Sequence, residues 1–254
     1  MKIIHTSDIR LIRYGILADI LLALLFPLGH ALFHGYQFFS ILLPAILPVP
    51  SAAVDNAIHS VLTAIGGLTL LGNLVLLNGL NETSSASEHL HYAKHWILFQ
   101  VALQFFNLLT EGMRIALANR TETEAIADSL NILYGYLSDT FIFVCFFVFH
   151  LLAYVNLYKG LAALWLDFGG ADETLRHVQH DQRVMCMCGG VVMLLSVLLE
   201  LIAGSGITVT AATARTGTLM SAVNLISIII RLRVQTRIAK LASETETLIG
   251  SASE

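Results

Sequence analysis

Proline is absent from the chain after Pro50; all four, Pro27, Pro44, Pro48 and Pro50, fall within the first fifty residues. The remainder, about 200 residues, holds no ring to break or kink a helix. Charge is scarce as well, since only 13% of the 254 residues are Asp, Glu, Lys or Arg, about half the share of a soluble domain. The net charge is −4 and the basic residues are scattered at segment ends, which provides no footprint for nucleic acid. Three cysteines, Cys145, Cys186 and Cys188, lie in apolar stretches, so neither a disulfide framework nor a thiolate zinc site is indicated. Several chemistries lack their residues. There is no glycine-rich phosphate loop, Ser-centred nucleophile elbow or zinc-protease histidine pair, no Asn-Pro-Ala half-helix, and no lysine in the final apolar stretch for a retinal Schiff base.

What is present is apolar. Hydrophobic residues make up 56% of the chain and the mean hydropathy is +0.74. Stretches long enough to cross about 30 Å of hydrocarbon recur near 12–34, 56–80, 95–118, 131–157, 184–205 and 213–231. The expected fold is therefore all-α, a polytopic transmembrane helical bundle of six spans forming a single domain. A polar decapeptide precedes the first span and no small-residue cleavage site follows it, so it is expected to stay in the membrane. The run Gln37–Val49 is too short to cross and holds two prolines, which suggests an interfacial or re-entrant piece.

Basic residues set the orientation, because lysine and arginine resist translocation. With the N-terminus inside, Lys2, Arg10, Arg13, Lys94, Lys159, Arg176, Arg183, Arg231, Arg233, Arg237 and Lys240 collect on the inner side, leaving Arg114, Arg120 and Arg215 outside. Both termini are then cytoplasmic in a multi-pass protein. Arg231–Leu241 reads as a basic amphipathic extension, and the Ser/Thr/Glu tail 242–254 is expected to be disordered.

The first and fourth spans match at an offset of 120. Tyr14-Gly15, Asp19, Phe26, His30 and Leu32 face Tyr134-Gly135, Asp139, Phe146, His150 and Leu152. With small changes of offset, Gly66-Gly67 aligns with Gly189-Gly190, and Asn107-Leu108 and Arg114 align with Asn224-Leu225 and Arg231. A unit of three helices crosses the membrane an odd number of times, so its second copy would be inverted, a 3+3 organisation common among alternating-access proteins. Pro27 faces Phe147 in this match, which singles out the first span as the more mobile of the two.

Ionisable groups within apolar spans are the functional candidates. Gln100, Gln104, Asn107, Glu111 and Arg114 follow one another at spacings of four, three, four and three, one stripe of the third span. Asp19, Asp139, His150, Glu200 and Asn224 complete the candidate path for a substrate or ion, with Asp19 and Asp139 as proton carriers and Arg13 or another inner basic group as the alternative partner of Asp19. The expected function is proton-coupled transport, or a channel, for a small solute or ion. The alternatives are an integral-membrane enzyme acting on a lipid or isoprenoid-like substrate, and a non-catalytic accessory subunit. No metal or cofactor is called for; haem is the minor alternative, because His30, His34 and His59 sort to one face and His91, His95, His150, His177 and His180 to the other. Expected partners are membrane lipids, the solute or ion, and a second copy or a partner membrane subunit.

Overall fold

The computed structural model describes residues 4–42, 52–118, 139–171 and 210–253, with separate helical residues between Leu175 and Leu194. Among the described residues every regular element is helical: α1 (Thr6–Leu42), α2 (Ala52–Thr83), α3 (Glu88–Ala118), α4 (Asp139–Asp167) and α5 (Thr210–Ser253). One stretch among them, Thr63–Thr83, is long and apolar enough to cross a membrane. The helical course of α1 continues through Pro27 to Leu42, into the run set apart above as interfacial; residues 43–51 lie outside the described residues.

The helices close in a ring, α1 on α2, α2 on α3, α3 on α4, α4 on α5, and α5 back on α1. Their directions follow from side-chain contacts. The Asn73 amide meets Gln104 and Asn81 meets Lys94 between α2 and α3, His89 meets Asn156 and Gln100 meets His150 between α3 and α4, and Arg10 meets Glu246 while Asp19 meets Arg231 between α1 and α5. In each pair rising numbers on one helix meet falling numbers on the other. Close packing of α1 on α2 is antiparallel too, since a Cβ at Gly15 would lie 2.5 Å from the Leu76 Cβ and one at Gly79 would lie 2.8 Å from the Ile12 nitrogen. Only glycine lets these two backbones approach so closely. Thus α1 and α3 run one way, and α2, α4 and α5 the other.

Among the described side chains the buried core lies towards the end where α1 and α3 begin. Ile9, Ile12 and Ile16, Leu76 and Leu80, Leu90 and Ile97, Leu157 and Leu161, and Ile238 and Leu241 interlock there. Short polar connections close that end. Residues 84–87 supply the α2–α3 turn, with the Ser84 N–H donating to the Leu80 carbonyl at 2.8 Å. Helix α4 ends on Gly169 at φ +85°, where the Gly170 N–H donates to the Trp165 carbonyl at 2.8 Å and that of Gly169 to Leu166 at 3.0 Å, a pattern that needs glycine at the left-handed position.

The tail expected to be disordered is instead the last part of α5, helical to Ser253. Its composition is polar, yet Leu241, Ala242, Thr245 and Ile249 fall at helical spacing and are buried. Glu246 then meets Arg10 at 2.7 Å and Arg13 at 3.0 Å on α1. Hydrogen bonding to Glu246 raises the already high pKa of Arg10, fixing its positive charge. Composition averaged over the tail hides this stripe of apolar and small residues.

Candidate functional site

In the middle of the described bundle, side chains from all five helices form a polar layer. Three helices contribute pairs one turn apart: Gln100 and Gln104 on α3, His150 and Tyr154 on α4, Arg231 and Gln235 on α5. Helices α1 and α2 contribute Asp19 and Asn73. Residues four apart share a helix face, so each pair looks into the same interior.

Asp19 is the hub. Its Oδ2 accepts from the Tyr154 hydroxyl at 2.8 Å and from the Gln235 amide at 2.6 Å, and one guanidinium nitrogen of Arg231 lies 3.2 Å from both carboxylate oxygens. The side chain is 3% exposed, and that of Arg231 is 26% exposed. A buried carboxylate is tolerated when an opposite charge and several donors replace its hydration, and here both are present. Charge within the layer cancels. Of the two partners anticipated, Arg13 is turned elsewhere, to Ser243 at 3.0 Å and Glu246, and the base beside Asp19 is Arg231.

His150 lies 3.8 Å from Asp19 Oδ2, beyond a hydrogen bond, and its ring packs on Tyr154 with centroids 4.4 Å apart. Amides flank it on both sides, Gln100 at 3.0 Å from Nδ1 and Gln235 at 3.3 Å from Nε2. A neutral imidazole donates from one nitrogen and accepts at the other. Gln235 commits its NH2 group to the Asp19 carboxylate, so it donates to Nε2 as well; Nδ1 then carries the proton, and Gln100 must present its oxygen. As placed, Gln100 Nε2 stands 3.0 Å from Nδ1, so this tautomer requires the Gln100 amide to be turned over, with its NH2 where Oε1 now has no partner. No group of three or more His, Cys, Asp or Glu stands close enough to hold a metal among the described residues.

The other sequence candidates divide by place. Gln104 is half-buried and its oxygen accepts from the Asn73 amide at 2.9 Å. Asn107, one turn beyond, is exposed, as are Phe105, Phe106 and Leu109. Glu111, Arg114, Asp139 and Asn224 lie in α3, α4 and α5 with side chains outside the described residues, and Glu200 lies outside them altogether.

Two members, Asn73 and Gln235, went unremarked in the sequence. Gln235 had a signal, standing one turn after Arg231 on the face of a basic helix, whereas Asn73 is a lone amide in a leucine run. A comparison with known protein families, with curated proteins and with solved structures finds no match to this chain.

Proposed function

We propose that the chain is a multi-pass integral membrane protein that moves a small solute or ion together with a proton, and that the Asp19 layer is the gate on the inner side of its path. The observation that carries this reading is the position of Asp19: a buried carboxylate whose two oxygens tie α1 to α4 and α5 at once. A proton arriving on Asp19 removes the charge that holds Arg231. It also makes the carboxyl a donor where Gln235 and Arg231 present only N–H groups, so the clamp between α1 and its neighbours loosens. Loss of the proton restores it.

Membrane placement is supported by the apolar surface as well as by the Thr63–Thr83 stretch. Leu17, Leu21 and Leu24 on α1, Leu68, Leu71 and Leu74 on α2, and Leu98, Phe99 and Phe105 on α3 are all exposed, a belt that water would disfavour and lipid would not. Six crossings are supported by direction. Helices α4 and α5 run the same way, so the chain between them has to return, and 184–205 is its apolar stretch. Beyond the gate, the proposed path uses Gln104, Asn107, Glu111, Arg114, Asp139, Glu200 and Asn224, and its 3+3 inverted repeat rests on the sequence match. Proton flux through proteoliposomes made with the native chain and with Asp19→Asn tests the proposal.

A further inference from the structure

The chain holds ten histidines, and the Asp19 layer uses one of them, His150. Two others, His91 and His95, stand one turn apart on α3. The face that α3 turns to the bundle is marked by Leu90, Ala93, Ile97 and Gln100, at spacings of three, four and three and all buried. The opposite face runs His91, His95, Leu98 and Ala102, at spacings of four, three and four and all exposed. The histidine pair therefore comes just before the exposed Leu98, Phe99 and Phe105, at the polar edge of the apolar belt.

The two rings meet edge to face, with centroids 4.4 Å apart and planes at 61°. His95 Nδ1 lies 2.8 Å from the His91 carbonyl oxygen, one turn back. A carbonyl only accepts, so Nδ1 of a neutral His95 carries the proton and Nε2 keeps the lone pair. That is the tautomer a metal ion needs. Imidazole ligates through one nitrogen while the other donates to a carbonyl or carboxylate, which fixes the ring and raises its basicity. Residues four apart on a helix have Cβ atoms about 5–6 Å apart, a span that two imidazoles can close on one ion through bonds of about 2.0–2.1 Å. Neighbouring charges are engaged elsewhere. Lys94, between the two in sequence, donates to the Asn81 side chain on α2 at 2.6 Å, and Glu88 accepts from the Tyr92 hydroxyl at 3.0 Å. No third His, Cys, Asp or Glu completes a group among the described residues, so two nitrogens are the protein's share and water takes the remaining positions.

We propose that His91 and His95 form a two-imidazole site for a late first-row divalent cation, of the zinc, nickel or copper class, on the exposed face of α3. The donors select the class. Imidazole suits these ions, whereas Mg2+ and Ca2+ require oxygen ligands. An ion held by residues four apart bridges one helical turn, so occupancy stabilises the start of α3, the helix whose buried face carries Gln100. The site stands whether or not a proton moves through Asp19.

Melting of the purified, untagged full chain in detergent, with and without Zn2+, tests this. Zn2+ should raise the melting temperature, because it binds the folded helix, and Mg2+ at the same concentration should not. His91→Ala and His95→Ala should each lose the rise, since one imidazole makes no chelate; both positions are exposed, so both variants should fold as the native chain does. A native chain with no rise, or a rise undiminished in either variant, overturns the site. Nitrogen NMR of the native chain with labelled histidine provides a second measurement that needs no variant to fold. Zn2+ should shift Nε2 of His95 and leave the proton on Nδ1. Coordination at Nδ1 of His95, or shifts confined to other histidines, also overturns the proposal.

Discussion

Asp19 of α1 and His150 of α4 stand 3.8 Å apart in the interior without a direct hydrogen bond, each held by Gln235 of α5. Arg231 balances the acid, and the two partners differ in exposure. Removing Arg231 therefore strands a buried carboxylate, whereas removing Asp19 strands a guanidinium with some access to solvent. Breaking a buried pair costs about 3–5 kcal/mol. Arg231→Met is expected to lower stability by that order and by more than Asp19→Asn does, and the double variant should lose less than the sum of the two. Thermal unfolding of the purified chain in detergent measures all three; equal losses that add would show that the two charges are not coupled.

The flanking amides fix the imidazole. His150 should be neutral, with the proton on Nδ1 and Nε2 as acceptor. Nitrogen NMR of labelled histidine in lipid separates protonated from unprotonated ring nitrogens, and Gln100→Leu should shift the balance towards the other tautomer. A signal from the proton on Nε2 in the native protein would contradict the assignment.

Helix α1 depends on two glycines of the α1–α2 contact. A side chain at Gly15 or Gly79 would meet backbone of the other helix, at 2.7 Å from the Leu76 nitrogen and 2.8 Å from the Asp8 carbonyl. Gly15→Leu and Gly79→Leu should abolish folded protein. Gly67→Leu, with nothing within 4 Å, should be tolerated. Monodisperse yield on size exclusion distinguishes the two classes.

The end of α5 is part of the fold. Ile249 and Thr245 are buried, and Glu246 lies between Arg10 and Arg13. Hydrogen exchange should show protection through residues 241–249, and Ile249→Asp should remove it. Glu246→Gln should lose little through the exposed Arg10, so any loss of stability should come from Arg13, whose side chain is 25% exposed against 12% for Glu246. Rapid exchange throughout the tail would restore the disordered tail expected from composition.

An acid, a histidine and a glutamine in apolar spans were legible as Asp19, His150 and Gln100, because burial of such groups has to be compensated. Their partners were not. Which base reaches Asp19 depends on the order of helices around the ring, and Arg231 beside α1 is a consequence of α5 closing on it, which no local spacing encodes. Helicity was legible from the apolar runs, whereas the end of α5 was obscured because four buried positions are diluted among Ser, Thr and Glu.

The most direct test is proton flux in proteoliposomes with a pH-sensitive dye trapped inside, driven by an imposed pH gradient and screened against a panel of small neutral and charged solutes. The native chain should carry protons when its solute is present, and Asp19→Asn, which cannot take up and release a proton at the gate, should lose coupled flux while remaining folded. Coupled flux in a folded Asp19→Asn protein equal to that of the native chain would contradict the account.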